Sequence, residues 1–128
     1  MSEEYAAAHR DWLHDKFVSS LLWGLPPLVM AVTAFIELES PLRAVAWTGS
    51  LLVMSGGCFA NAARCGRRHC YFTGPFFFLM AAIVVIHGLE VVSFGTGGWR
   101  WIGIATIVGA LSLTYVPERI SGKYAKCT

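Results

Sequence analysis

The stretch YFTGPFFFLMAAIVVIHGLEVVSF, residues 71–94, decides the class of fold to which this chain belongs. Only His87 and Glu90 interrupt its apolar and aromatic side chains with acidic or basic groups. An α-helix needs about 20 consecutive apolar residues to cross the hydrocarbon core of a bilayer. We therefore predict that this stretch is a transmembrane helix.

Three further apolar runs, at residues 17–36, 44–63 and 99–116, are also long enough to span a bilayer. The chain is 55% hydrophobic and only 14% charged, which lies outside the usual range of soluble domains. Four spans leave little of the 128 residues for a soluble module. The prediction is an all-α membrane protein with a single transmembrane domain, residues 1–128.

The distribution of basic residues predicts how these helices are oriented. Eight lysines and arginines lie on one side of the predicted spans and two on the other: Arg10, Lys16, Arg64, Arg67, Arg68, Arg119, Lys123 and Lys126 against Arg43 and Arg100. Basic residues accumulate on the cytoplasmic side of membrane proteins. Both termini and the loop at residues 65–70 are therefore predicted to be cytoplasmic, in a bacterial-type inner (plasma) membrane. Short connections favour an up-down four-helix bundle.

Two local features modify this simple picture. Pro26 with Pro27, and Gly74 with Pro75, are predicted to bend or break the first and third helices. The polar lead-in at residues 1–16 is predicted to be either a solvated helical segment or an amphipathic helix on the membrane surface.

Composition and motifs exclude several classes of function. The net charge of +2 is modest and the basic residues are sorted by loop, so nucleic acid is not predicted as a partner. The sequence has no Ser-His-Asp signature, phosphate loop or dinucleotide motif, so we predict neither an enzyme nor a nucleotide cofactor. His87 is the only histidine well inside a predicted span, which argues against a haem held by two histidines. The predicted environment is the lipid bilayer.

A soft, polar stripe runs along the second predicted helix. Met54, Cys58, Asn61 and Cys65 are spaced i, i+4, i+7 and i+11, which places their side chains on one helical face. Cys70 and His69 follow after a short turn. Thiolate and imidazole ligands suit soft or borderline metal ions. We therefore predict a metal site for Hg, Cu or Zn with the ligands Cys58, Cys65, His69 and Cys70.

The arginines around these cysteines have two interpretations. Arg64, Arg67 and Arg68 would favour the reactive thiolate form of nearby cysteines. They would equally well fix the topology and contact lipid phosphates.

The cysteines themselves also have a structural interpretation. Buried cysteine is often only a small apolar side chain, and Cys-x4-Cys is not a tight zinc spacing. The alternative to metal binding or transport is therefore a small accessory subunit that packs against a larger membrane enzyme complex, or forms a homo-oligomer. Convergence of the three sulfur atoms would favour the metal site, and separate apolar surroundings would favour the subunit.

In its short four-span architecture and in Cys58, Cys65 and Cys70, the chain resembles the small inner-membrane mercury-uptake proteins of bacterial mercury-resistance systems. The resemblance implies that a cysteine pair within a span receives Hg(II) and that a second, cytoplasmic pair relays it to a reductase. Cys65 and Cys70 match the relay pair. The first span of this chain lacks the closely spaced cysteines that would match the entry pair.

A second group of polar residues lies toward the opposite end of the predicted bundle. His87 and Glu90 are spaced i, i+3 on the third predicted helix, where ionisable groups often mark an ion path. Glu37 and Glu39 are predicted at similar height and would form an outer mouth that attracts cations. An interhelical polar pair that fixes packing is the equally favoured interpretation of His87 and Glu90.

Overall fold

The structure, a computed structural model, describes residues 9, 11–13, 15–122 and 124. Within this part of the chain there are four long helices and no strand: α1 (Lys16–Phe35), α2 (Ser40–Cys65), α3 (Arg68–Gly88) and α4 (Gly98–Ser121). Each helix is long and apolar enough to cross a bilayer. The predicted all-α fold with four helices of membrane-spanning length is confirmed.

Helix α1 contains a π-helical turn at Ser20–Gly24, immediately before Pro26 and Pro27. Proline has no N–H group, so the carbonyl groups one turn earlier lose their usual donors. The π turn shifts the backbone hydrogen bonds by one residue, so that the Leu25 N–H donates to the carbonyl of Ser20, five residues earlier. The proline pair thus disturbs α1, as predicted, through a local change of helical type.

Helices α2 and α3 form the centre of the bundle. In the most apolar 18-residue stretch of each of these two helices, 44% of the residues are buried. The corresponding value for α1 and for α4 is 11%. Small residues permit close packing: a Cβ atom added at Gly88 would lie 2.3 Å from the Cβ of Ala44. Helix α2 is rich in glycine, alanine and serine, which lets it approach its neighbours closely.

The bundle is open on one side. Helices that follow one another in the chain pack together, whereas α1 and α4 make no close backbone contact in the described part of the chain. An apolar groove of about 460 Å³ separates them, and Trp47, Met54 and Phe77 from the central helices line it as well. The up-down order is therefore present between neighbours, but the fourth helix does not close against the first.

Helix α3 ends earlier than the sequence predicted. It stops at Gly88, although residues 89–94 include the apolar Val91, Val92 and Phe94. Glu90 adopts a left-handed backbone conformation with φ of 59°, which is incompatible with a continuing right-handed helix. Hydropathy alone extended the predicted span, because the residues after the turn remain apolar.

The close contact between α2 and α3 predicts the effect of one methyl group. Gly88→Ala should lower the stability of the protein by about 1 to 3 kcal/mol, because the new Cβ would overlap the Cβ of Ala44. The matched control is Gly49→Ala in α2, where an added Cβ meets nothing within 4 Å. Thermal unfolding in detergent compares the two variants, and equal stabilities would contradict the packing described here.

Candidate functional site

The predicted stripe of α2 is buried as a unit. Cys58, Asn61 and Cys65 are completely inaccessible to solvent, and Met54 is 8% exposed. All four side chains therefore lie on the inner face of α2, as their spacing predicted.

Two of the cysteines, Cys58 on α2 and Cys70 on α3, meet in this interior. Both are free thiols with no solvent-accessible surface, and they lie close to each other in the core between the two helices. The Thr73 Oγ1 lies 3.2 Å from the Cys58 Sγ and 2.8 Å from the His69 carbonyl oxygen. A hydroxyl group carries one proton. When Thr73 donates that proton to the carbonyl, its oxygen can accept the Cys58 S–H.

Polar groups from three helices surround this thiol pair. The Trp23 side chain of α1 lies beside Cys58 and packs against the buried core. On the other side, the His69 Nε2 lies 3.5 Å and the Asn61 Nδ2 lies 3.7 Å from the Cys70 Sγ. The two sulfur atoms therefore sit in a polar environment within the helices rather than among separate apolar neighbours.

Cys65 is oriented differently from the thiol pair. Its thiol donates to the Asn61 carbonyl at 3.0 Å and lies 3.6 Å from the Asn61 Oδ1. Among the described residues, no three histidine, cysteine or carboxylate side chains are grouped so that they could hold a metal ion. The structure thus brings Cys58, Cys70 and His69 near one another without assembling the full predicted ligand set, which stays a prediction.

A buried ionic network lies beside the thiol pair, in the turn between α2 and α3. Arg67 forms ion pairs with Asp11 and, at 2.9 Å, with Glu118. The His69 Nδ1 lies 2.6 Å from the same Glu118 oxygen, and the Tyr124 hydroxyl donates to Asp11 at 3.0 Å. We call these five residues the Arg67 clamp. They join the segment before α1, the α2–α3 turn and the last turn of α4 at one end of the bundle.

The charges of the clamp are stabilised by its hydrogen bonds. Burial alone would raise the pKa of Asp11, but hydrogen bonds from Asn61 and Arg67 outweigh it and hold the pKa below its usual value. Burial opposes the charge of Arg67, yet its two carboxylate partners raise its pKa. Burial and the neighbouring Asp11 raise the pKa of Tyr124 to about 12. At neutral pH the clamp therefore contains a guanidinium, two carboxylates and a protonated phenol.

Sequence reasoning missed Asp11, Glu118 and Tyr124. Asp11 was assigned to a lead-in that would be solvated or lie on the membrane surface, but the residue is only 2% exposed, so this assignment is wrong at that position. Most of residues 1–10 lie outside the described part of the chain. Asp11 is buried by contacts with residues that are distant in the sequence, and no local pattern of apolar and polar residues indicates such contacts.

Two arginines of this region, Arg64 and Arg67, make contacts with groups other than the thiols. Arg67 pairs with carboxylates, and the guanidinium of Arg64 lies 4.8 Å from the centre of the Trp12 ring. The contacts observed for these two arginines do not support the expectation that they activate the thiols.

The second predicted group, at the opposite end, does not form a polar pair. His87 is buried between the rings of Phe94 and Trp99, at centroid distances of 5.4 and 5.1 Å, and its Nδ1 accepts the Phe94 N–H. Glu90 is exposed and lies beyond the end of α3. Its predicted position inside a span is therefore wrong, because the helix ends before it.

Ser40, His87, Glu90 and Trp99 do line one small polar hollow of about 440 Å³ at this end. Glu37 and Glu39 are exposed in the α1–α2 connection and do not line it. The outer cation mouth predicted from these two glutamates stays a prediction.

Comparison with known proteins assigns no function to these residues. No protein family, curated protein or solved structure matches the chain. The function is therefore argued from the thiol pair and its surroundings.

The Arg67 clamp predicts a large effect from a small change. Asp11→Asn should lower the stability by about 3 kcal/mol, because it leaves a mostly buried guanidinium without one of its two counter-charges. Glu39→Gln is the matched control, since it removes an exposed carboxylate. Chemical or thermal unfolding in detergent measures both variants, and equal stabilities would contradict a structural role for the clamp.

The pH dependence gives an independent test of the same ion pair. Folding lowers the pKa of Asp11, so ionised Asp11 stabilises the folded protein. This stabilisation is fully present above the unfolded-state pKa and is lost as the pH falls through the folded-state pKa. The stability of the wild type should therefore decline more steeply below about pH 4 than that of Asp11→Asn. Parallel curves for the two proteins would argue against the ion pair.

Proposed function

We propose that this chain is a multi-pass membrane protein that binds a soft cation, Cu(I) or Hg(II), between the thiolates of Cys58 and Cys70. The observation that supports the proposal is the proximity of these two free, fully buried thiols on neighbouring helices. Of the three sulfur atoms whose convergence would favour a metal site, two lie close together.

The number of ligands favours soft ions over zinc. Structural zinc sites take four ligands in a tetrahedron, whereas thiolate sulfur preferentially selects soft ions such as Cu(I), and a linear pair of thiolates satisfies Cu(I) or Hg(II). His69 would be a third ligand, since its Nε2 already lies 3.5 Å from the Cys70 Sγ. Its Nδ1 contact with Glu118 would fix the orientation of the ring, as outer partners of metal-bound histidines commonly do.

The position of the pair favours a transfer role at the cytoplasmic edge. Cys70 lies in the first turn of α3, while Cys58 lies seven positions before the end of α2, about 10 Å along the helix axis. An ion held between them would lie within the protein but close to the Arg67 end. Cys65 lies nearer that end and would serve as the next acceptor of the ion.

A membrane subunit without metal is the second candidate function. Only 11% of the residues are buried in the most apolar 18-residue stretch of α1 and of α4. Large apolar faces are therefore available to contact a larger complex or a second copy of the chain. In that case the thiol pair would only pack the α2–α3 interface. Metal titration separates the two candidates.

We place the Arg67 end on the cytoplasmic side of a bacterial-type plasma membrane. The eight-to-two division of basic residues supports this orientation. The clamp is consistent with it, because it joins Asp11, near the first helix, to Tyr124, beyond the last.

Metal binding should depend unequally on the cysteines. Purified protein is expected to bind about one Cu(I) or Hg(II), and Cys58→Ser or Cys70→Ser should each weaken binding more than tenfold, or about 1.4 kcal/mol. Cys65→Ser should have a smaller effect, because its thiol already donates to the Asn61 carbonyl. Binding should also release protons, since thiols must ionise to bind the ion. Competition titration with a chromophoric chelator measures these affinities.

Cys127→Ser is the control for loss of a thiol outside the described residues and should leave the affinity unchanged. Wild-type affinity in the Cys58, Cys70 double variant would exclude this site and favour the subunit role.

The orientation can be tested by labelling in intact cells. A membrane-impermeant thiol reagent should not reach Cys65, Cys70 or Cys127, whereas a cysteine introduced as Ser40→Cys, at the start of α2, should react. Permeabilised cells provide the positive control for Cys127. Labelling of native Cys127 from outside would contradict the proposed topology.

A further inference from the structure

The groove between α1 and α4 is apolar along most of its length. Its walls come from the two outer helices and its floor from the central pair, and the residues that line it include Met30, Ala34, Phe35, Trp47, Phe77 and Ile107. It is open to the surroundings of the bundle, because α1 and α4 do not pack together in the described residues. In a bilayer such a groove faces lipid.

At the end opposite the clamp, the groove continues into a second hollow of about 440 Å³ with a different character. Arg43, Trp99 and Arg100 line this hollow. Four residues line both spaces and show that they are continuous: Ala34, Trp47, Gly103 and Ile107. One elongated site thus has a basic end and an apolar body.

The guanidinium of Arg43 is fixed at the basic end. Its Nε and Nη2 donate to the carbonyl groups of Thr33 and Ile36 at 3.3 and 3.4 Å, and the group lies 5.5 Å from the centre of the Trp99 ring. Arg100 is exposed beside it. Neither arginine forms a salt bridge with a carboxylate in the described part of the chain. Neither positive charge therefore has a salt-bridge partner among the described residues.

The length of the site matches one leaflet of a bilayer. From Arg100 to Leu111, which lines the far part of the groove, α4 advances about 16 Å. The hydrocarbon core of a bilayer is about 30 Å thick. The apolar body therefore has the length of one lipid chain, with the arginines at the level of its headgroup.

We infer that the groove between α1 and α4 binds one anionic phospholipid, with its phosphate at Arg43 and Arg100 and an acyl chain along the apolar body. Charge complementarity and the match to one leaflet select this occupant. Within the residues that the structure describes, no carboxylate lines the basic hollow, so a lipid without net negative charge would not balance its two arginines, and a free phosphate would leave the apolar body uncovered. The inference goes beyond the proposed metal function and does not depend on the thiol pair.

Native mass spectrometry of the full-length protein in detergent tests the inference directly. With equal amounts of phosphatidylglycerol and phosphatidylcholine, one phosphatidylglycerol per chain should be retained preferentially. Excess inorganic phosphate should not displace it, because the acyl chain contributes to binding. Equal retention of the two lipids, or displacement by inorganic phosphate, would overturn the inference.

Two variants with matched controls locate the lipid. Arg100→Gln should weaken retention about fivefold, the equivalent of the roughly 1 kcal/mol that one basic residue contributes near anionic lipid. Arg119→Gln makes the same charge change at the other end and should have no effect. Ala34→Phe should block the groove where its two parts join, whereas Ala105→Phe, on an exposed position outside the groove, should not.

The variants also identify the competing occupant. Retention that is unchanged by both Arg100→Gln and Ala34→Phe would assign the lipid to the general belt around the bundle and overturn the inference. A change of oligomeric state in Ala34→Phe, with lipid retention unaltered, would overturn it in favour of a second copy of the chain. Metal affinity should be unaffected by either variant, which separates this result from the fate of the thiol site.

Discussion

The ion pairs of Arg67 are the constraint on which one end of this structure depends. A guanidinium in a nearly buried turn is costly unless counter-charges and hydrogen bonds compensate it. Asp11 and Glu118 supply those charges from segments that lie before the first helix and at the end of the last. The turn between α2 and α3 therefore holds the segment before α1 and the last turn of α4, and three separate segments become one unit.

The clamp also controls the surroundings of the thiol pair. Asn61 donates to the Asp11 carboxylate at 2.8 Å and lies near Cys70, while His69 contacts Glu118 through one ring nitrogen and approaches Cys70 with the other. Loss of the ionic network would release both side chains. The stability of the bundle and the chemistry of the two sulfur atoms are thus coupled through two residues.

The clamp explains how the bundle remains assembled although it is open. Helices α1 and α4 are separated along the apolar groove, but at one end Arg67 holds the segment before α1 and the last turn of α4 together. At the other end, Arg43 secures the end of α1 by donating to its carbonyl groups. The groove is therefore bounded by polar contacts at both ends, with room for an apolar chain between them.

The sequence by itself determined the number of helices and the buried stripe of α2, because both follow from composition and from a local period of 3.6 residues. It misplaced the end of α3, since apolar residues continue beyond the left-handed turn at Glu90. Only the tertiary structure decided that Cys70, rather than Cys65, lies against Cys58. It alone paired Arg67 with carboxylates 51 and 56 positions away. Contacts between distant segments depend on how whole helices pack, and no local pattern encodes them.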